Sequence, residues 1–235
     1  MSVQDSGTRP RKFAFHGLAF VSRIALLPMA RLVVDELPPR PAGPGSVIIT
    51  ANHRSLLDFL VALVLFRRWK VRPRALVRGD YFRHPVLGPL LRSLGSIPAG
   101  RDYGKEAMSL AREALKDGEV VGVMPEGHIP KNGDSHEIAE LRPGVGVLAV
   151  ESGAHLMVLG VFGTDLVWNI RHRFPRMTLL PWKRPTIRVC IDWLYVPQGA
   201  DVSSTMADIR TGMTRMLKEA HQLESPRDAR RRAKG

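Results

Sequence analysis

Apolar residues along the chain follow two rhythms. Short strand-like runs begin at Ser46 ("SVIIT"), Arg74 ("RALVR"), Gly95 ("GSIPA"), Glu119 ("EVVGVM"), Ala154 ("AHLMVLGVF") and Thr186 ("TIRVCIDWLYV"). Between them apolar positions recur at three- and four-residue spacing, which predicts helices over 55–66, 85–94, 105–116 and 145–151. A last helix over 204–223 places Met206, Ile209, Met213, Met216, Leu217 and Ala220 on one face, a stripe suited to core packing. Strands alternating with helices predict an α/β fold, here a single domain over 46–223 with a central mixed sheet flanked by helices.

The first 45 residues have a different pattern. "KFAFHGLAFVSRIALLPMARLVV" is long and apolar but carries Arg23, Arg31 and Pro28. Each central Arg in a spanning helix would cost about 2.5–3.5 kcal/mol, which disfavours a transmembrane span. Pro28 predicts two short helices, with Phe13, Phe15, Phe20, Leu26 and Leu27 facing apolar surroundings. Those surroundings are either a membrane surface or the domain's own core. "ELPPRPAGPG", 36–45, reads as a linker, because proline removes backbone donors and glycine loosens the chain. Segment 1–45 is therefore expected to be an N-terminal, membrane-associating helical segment and linker. Residues 224–235, rich in arginine, are expected to be a disordered basic tail. The N-terminus lacks the pattern of a secretory signal, so the whole chain is expected to be mature.

Charge narrows the partners. Thirty-five Lys and Arg against 22 Asp and Glu leave a formal net charge of +13, which favours phosphate- or carboxylate-bearing partners: nucleic acid, anionic lipid or phosphorylated metabolites. A single cysteine, Cys190, excludes intramolecular disulfides, fits a reducing compartment, and sits in an apolar alternation that predicts a core position.

The candidate chemistry begins at "TANHRSLLDF", 50–59. In one helix, His53 and Asp58 would point about 140° apart and could not meet. If the helix starts near Ser55, His53 lies on the strand-to-helix turn, and the bend can bring its imidazole to the Asp58 carboxylate. Ser55 to Asp58 is also S-x-x-D, a helix-capping pattern, so Asp58 alternatively serves only the helix N-terminus. Arg101 in "LGSIPAGRD", Glu126 in "VVGVMPEGHIP" and Arg142 in "ELRPGVG" follow strands or precede a helix, at turns where open α/β sheets bind ligands.

Together these segments resemble the glycerolipid acyltransferase family, whose best-known members are 1-acylglycerol-3-phosphate acyltransferases. "NHRSLLD" is similar to the family's N-H-x4-D block, "SIPAGRD" to its arginine-bearing second block, "VMPEGHIP" to its F-P-E-G-T-R-S block and "AHLMVLGVFGT" to its fourth, and the resemblance runs over 37–164. It implies that His53 is the general base that removes the acceptor hydroxyl proton and that Asp58 holds its tautomer. It implies that Arg101 binds the acceptor phosphate, that Glu126 accepts from acceptor hydroxyls, and that Gly127 allows close backbone approach. Arg142 and Arg78 match basic positions more loosely. His128, Ile129 and Pro130 replace the hydroxyl, basic and serine residues usual in the third block, and "LGVFGT" lacks the usual proline.

The implied function is O-acyl transfer from acyl-CoA or acyl carrier protein to 1-acylglycerol-3-phosphate. No cofactor is expected beyond that acyl co-substrate, and the expected place is peripheral, on the cytoplasmic face of an anionic membrane. The altered third block keeps another lysophospholipid or a glycolipid open as acceptor. A polyanion-binding protein and an acyl-thioester hydrolase are the remaining alternatives. Specific nucleic-acid binding is not expected, since recognition-helix and base-stacking patterns are lacking. No metal site is expected either: His84, His136, His155 and His172 are scattered without ligand spacing.

Overall fold

The computed structural model describes residues 12–41, 45–130, 137–197 and 199–222. The basic tail, His136 and part of the proline-rich linker lie outside the described residues. A seven-stranded sheet is built from β1 (Arg31–Val34), β2 (Val47–Ala51), β3 (Arg74–Arg78), β4 (Ile97–Ala99), β5 (Val120–Val123), β6 (His155–Phe162) and β7 (Thr186–Leu194). Its order is β1-β7-β6-β2-β5-β3-β4. Strands β2 to β6 run parallel to one another, whereas β7 pairs antiparallel with β6, and β1 parallel with β7. The fold is the expected α/β domain with a mixed sheet.

Strand β2 is central, and all five of its residues are buried, as a continuous apolar run in a parallel sheet requires. Its side chains alternate between two cores. Ile48 packs with residues of α4 (Gly104–Lys116), α5 (Gly144–Ser152) and, beyond the one-turn α6 (Thr164–Val167), α7 (Val202–Gln222). Val47, Ile49 and Ala51 pack on the other face with Leu57, Val61 and Leu65 of α2 (Leu57–Arg68). The Met stripe of α7 is core, with Ile209, Met213, Met216 and Leu217 buried. Helix α7 lies so close to β6 that a Cβ on Gly160 would overlap the backbone of Met216 and Leu217.

The N-terminal segment corrects one expectation. It forms one helix, α1 (Lys12–Leu26), not two, and residues 31–34 are strand β1, in register with Thr186 to Val189. Pro28 ends the helix as expected, but the β-branched pair after Arg31 completes an edge of the sheet. Local apolar character cannot distinguish a short helix from a four-residue strand, and the pairing partner is about 155 residues away in sequence. Helix α1 buries Phe15 and Ala19 against Leu63 of α2 and Leu94, the residue that follows α3 (Leu87–Ser93). Among the described residues no helix is long and apolar enough to cross a membrane. The 15 residues of α1 span about 22 Å, short of a hydrocarbon core of about 30 Å.

Gly160→Ala should force α7 off β6 and lower unfolding free energy by about 1–3 kcal/mol, measured by urea titration. Cys190 is 1% exposed, and burial first, then neighbouring Asp35, pushes its thiol up to about 12. It should therefore react with a disulfide reagent at pH 8 only as the protein unfolds, so labelling and the unfolding transition should coincide.

Candidate active site

Because β2, β5, β3 and β4 are parallel and adjacent, their C-terminal ends open on one edge of the sheet. The residues singled out on sequence grounds lie at these ends: His53 after β2, Glu126 and Gly127 after β5, Arg78 at the end of β3 and Arg101 after β4.

Where β2 leaves the sheet, Asn52 takes over its hydrogen bonding. The buried Asn52 amide donates to the Val161 carbonyl at 2.8 Å and accepts from the Val161 N–H at 2.7 Å, so the turn stays attached to β6. His53 follows on the bend. Its Nδ1 is 2.8 Å from Oδ2 of Asp58, in the first turn of α2. That same oxygen accepts from the backbone N–H of Arg54 at 2.8 Å and of Ser55 at 2.9 Å. The backbone bonds of the turn leading into α2 and the imidazole contact therefore coexist on one atom. Ser55 Oγ accepts from Leu57 N–H at 3.0 Å and donates to the Trp168 carbonyl at 2.6 Å.

The two side chains differ sharply in exposure, 24% for His53 and 1% for Asp58. A carboxylate accepts only, so Nδ1 is the donor in this contact, and a ring with one proton then presents Nε2 as its acceptor nitrogen. The arrangement supplies a base whose tautomer is set from the protein side.

Glu126 is buried, and both its oxygens are engaged by protein donors. Oε1 accepts from the His53 backbone N–H at 2.8 Å, and Oε2 accepts from Ala139 N–H at 3.0 Å and lies 3.5 Å from the Arg54 guanidinium. Arg54, itself buried, also donates to the Glu137 carbonyl. This carboxylate thus joins three separate stretches of chain. Gly127 has φ +69°, a left-handed conformation that a side chain disfavours, and a Cβ there would lie 2.5 Å from Arg142 Nε. Arg142 is thereby brought against the Pro-Glu-Gly turn, to which its N–H also bonds through the Pro125 carbonyl at 2.9 Å.

The other two arginines stand apart from this cluster. Arg78 is exposed and paired with Asp80 at 2.6 Å. Arg101 is exposed in a 3₁₀ turn after Gly100, at the end of the outermost strand. Strand β4 is three positions from β2, about 14 Å across the sheet. Sequence reasoning missed Asn52, Arg54 and the carbonyl of Trp168. Asn52, a polar residue directly after the apolar run of β2, carried a usable signal; the other two contacts come from remote chain.

One trio among the described residues, Asp35, Cys190 and Glu219, brings potential metal-ligand atoms within 4.8 Å of one another. It lies between β1, β7 and α7, and the raised Cys190 thiol pKa disfavours the thiolate that a metal would need.

The sequence model of a family described as Acyltransferase matches residues 32–161, more than half of the chain. The chain belongs to the glycerolipid acyltransferase family. It is 25% identical over 160 residues to the chloroplastic 1-acyl-sn-glycerol-3-phosphate acyltransferase LPAT1 of Arabidopsis thaliana, a match covering 67% of this chain and 43% of that protein. The crystal structure of the 1-acyl-sn-glycerophosphate acyltransferase PlsC from Thermotoga maritima superposes with a TM-score of 0.70, at 17% identity, over 91% of this chain and 82% of that one. That likeness is one of fold. The acyltransferase H-x4-D pattern is here the His53 and Asp58 pair in direct side-chain contact.

Removing the Glu126 carboxylate would leave the Arg54 charge and two backbone N–H groups without their partner. Glu126→Ala should cost about 3–5 kcal/mol of stability, and Glu126→Gln, which keeps an acceptor, should cost less, both read from urea unfolding.

Proposed function

We propose that this protein is an O-acyltransferase that moves a fatty acyl group from acyl-CoA or acyl carrier protein to the free hydroxyl of 1-acylglycerol-3-phosphate, giving phosphatidate. The observation that carries the reading is the 2.8 Å contact between His53 Nδ1 and buried Asp58, which leaves Nε2 as the available base. In the proposed reaction Nε2 takes the acceptor hydroxyl proton as the oxygen attacks the thioester carbonyl. A C–O bond forms and the C–S bond breaks. The proton passes from the imidazolium to the leaving thiolate, and Asp58 stabilises the transient positive ring.

Arg101 is assigned to the acceptor phosphate, where a permanently charged, planar guanidinium suits bidentate binding. Its exposure and position at the outer end of the strand-end edge fit a ligand that bridges from β2 toward β4. Arg142, held against Gly127, is a second cation for the same ligand, and Arg78 a more distant one. For Glu126 the role favoured by its contacts is positional: it fixes the His53 backbone and orders the loop at Ala139. The named activities of the Arabidopsis and Thermotoga relatives support 1-acylglycerol-3-phosphate as acceptor. The altered third block, with His128 exposed beside the site, favours testing other lysophospholipids and glycolipids in parallel. Helix α1 is assigned to a peripheral contact with an anionic membrane, on the cytoplasmic face.

Thiol release from an acyl thioester should depend on 1-acylglycerol-3-phosphate. It should fall by about 10²–10⁴-fold in His53→Ala, and strongly in Asp58→Asn, which keeps a capping acceptor; circular dichroism checks the fold. Release that is indifferent to every lysolipid but lost in both variants would make the protein a thioester hydrolase instead.

A further inference from the structure

Beyond Trp168, the connection between β6 and β7 has no role among those assigned so far. From 170 to 184 it carries Arg171, Arg173, Arg176, Lys183 and Arg184 and no acidic residue. Its large apolar side chains point to solvent: Phe174, Met177, Leu179 at 87% exposed and Trp182 at 63%. A water-facing loop has no need to expose a tryptophan, a phenylalanine and a leucine together, and cations interleaved with them suit a headgroup region.

This loop adjoins α1. Thr178 N–H donates to the Pro28 carbonyl at 2.8 Å, just past the end of that helix. Helix α1 is itself apolar on two sides. Phe15, Ala19, Ser22 and Leu26 are buried against the domain, while Phe13, Phe20, Ile24 and Leu27 are exposed. At 100° per residue the exposed set lies about 140° around the helix from the buried one. One stripe suffices for packing, so the second calls for a second apolar partner.

Both elements are tied to the catalytic turn. Helix α1 packs along α2, whose first turn holds Asp58. The loop starts just after Trp168, whose carbonyl accepts from Ser55 Oγ, two residues from His53. We propose that loop 170–184 is a second membrane-docking element, which with the outer face of α1 forms one cationic, apolar face for an anionic bilayer and sets His53 at the lipid interface. What that orientation achieves rests on the acyltransfer reading; the binding itself does not.

The test uses the full chain with phosphatidylglycerol-containing and purely phosphatidylcholine vesicles in a sedimentation assay. Variants are Leu179→Asp/Trp182→Asp in the loop, Phe20→Asp/Ile24→Asp in α1, and His53→Ala. Wild type and His53→Ala should bind anionic vesicles alike, and the loop variant should bind them at least about tenfold less well. Quenching of tryptophan emission by brominated lipid should shrink in Trp182→Phe. The loop variant should keep transfer to a short-chain, water-soluble lysophosphatidate, which separates failed docking from failed chemistry. Undiminished vesicle binding by the loop variant, or quenching unchanged in Trp182→Phe, overturns the proposal. Wild type that ignores vesicles yet transfers between soluble substrates also overturns it, and would leave the face to an acidic protein.

Discussion

One carboxylate oxygen, Oδ2 of Asp58, holds the bend after β2 together. It accepts from the Arg54 and Ser55 backbone and from the His53 ring, so helix initiation and base orientation are the same event. The consequence is economy of position: a side chain in the first turn of α2 both satisfies backbone donors of the turn that leads into the helix and fixes an imidazole on that same turn. Any displacement of α2 relative to β2 would disturb both.

Around that bend a second buried carboxylate supplies long-range support. Glu126 binds the His53 N–H from the neighbouring strand end, and its ion contact with Arg54 occurs where solvent is excluded. A buried pair of this kind adds little net stability over an apolar substitute, yet losing one partner is costly, so its value here is geometric. It fixes the distance between the turns after β2 and β5. On the other side Asn52 performs the same service toward β6. The site is thus held from both flanks by polar side chains that no solvent can replace.

The chain carries a formal net charge of +13, and its surface is apolar at two neighbouring places, the outer face of α1 and loop 170–184. Charge brings anionic partners to the protein, whereas exposed Phe, Leu and Trp side chains select a partner with an apolar interior. The arginines at the strand ends and those of the β6–β7 loop therefore occupy different places: Arg78 and Arg101 lie at the ends of β3 and β4, whereas the loop carries its cations beside exposed apolar side chains.

The chain alone determined the βα alternation, the strand at "SVIIT" and the Met stripe of α7, because periodicity is a local property, and the blocks carrying His53, Asp58, Arg101 and Glu126 were legible through their resemblance to a known family. It leaves Asp58 with two readings, a cap and a partner of His53, and the tertiary structure puts the His53 ring and the Arg54 and Ser55 backbone N–H groups on one oxygen. Strand β1 was misread as helix, since its identity comes from pairing with Thr186 to Val189 on the far side of the sequence. The burial of Glu126, its bonds to His53 and Ala139, and the meeting of loop 170–184 with Pro28 likewise depend on segments remote in the chain. Such contacts arise only when the sheet order brings distant strand ends together, and no local pattern records that order.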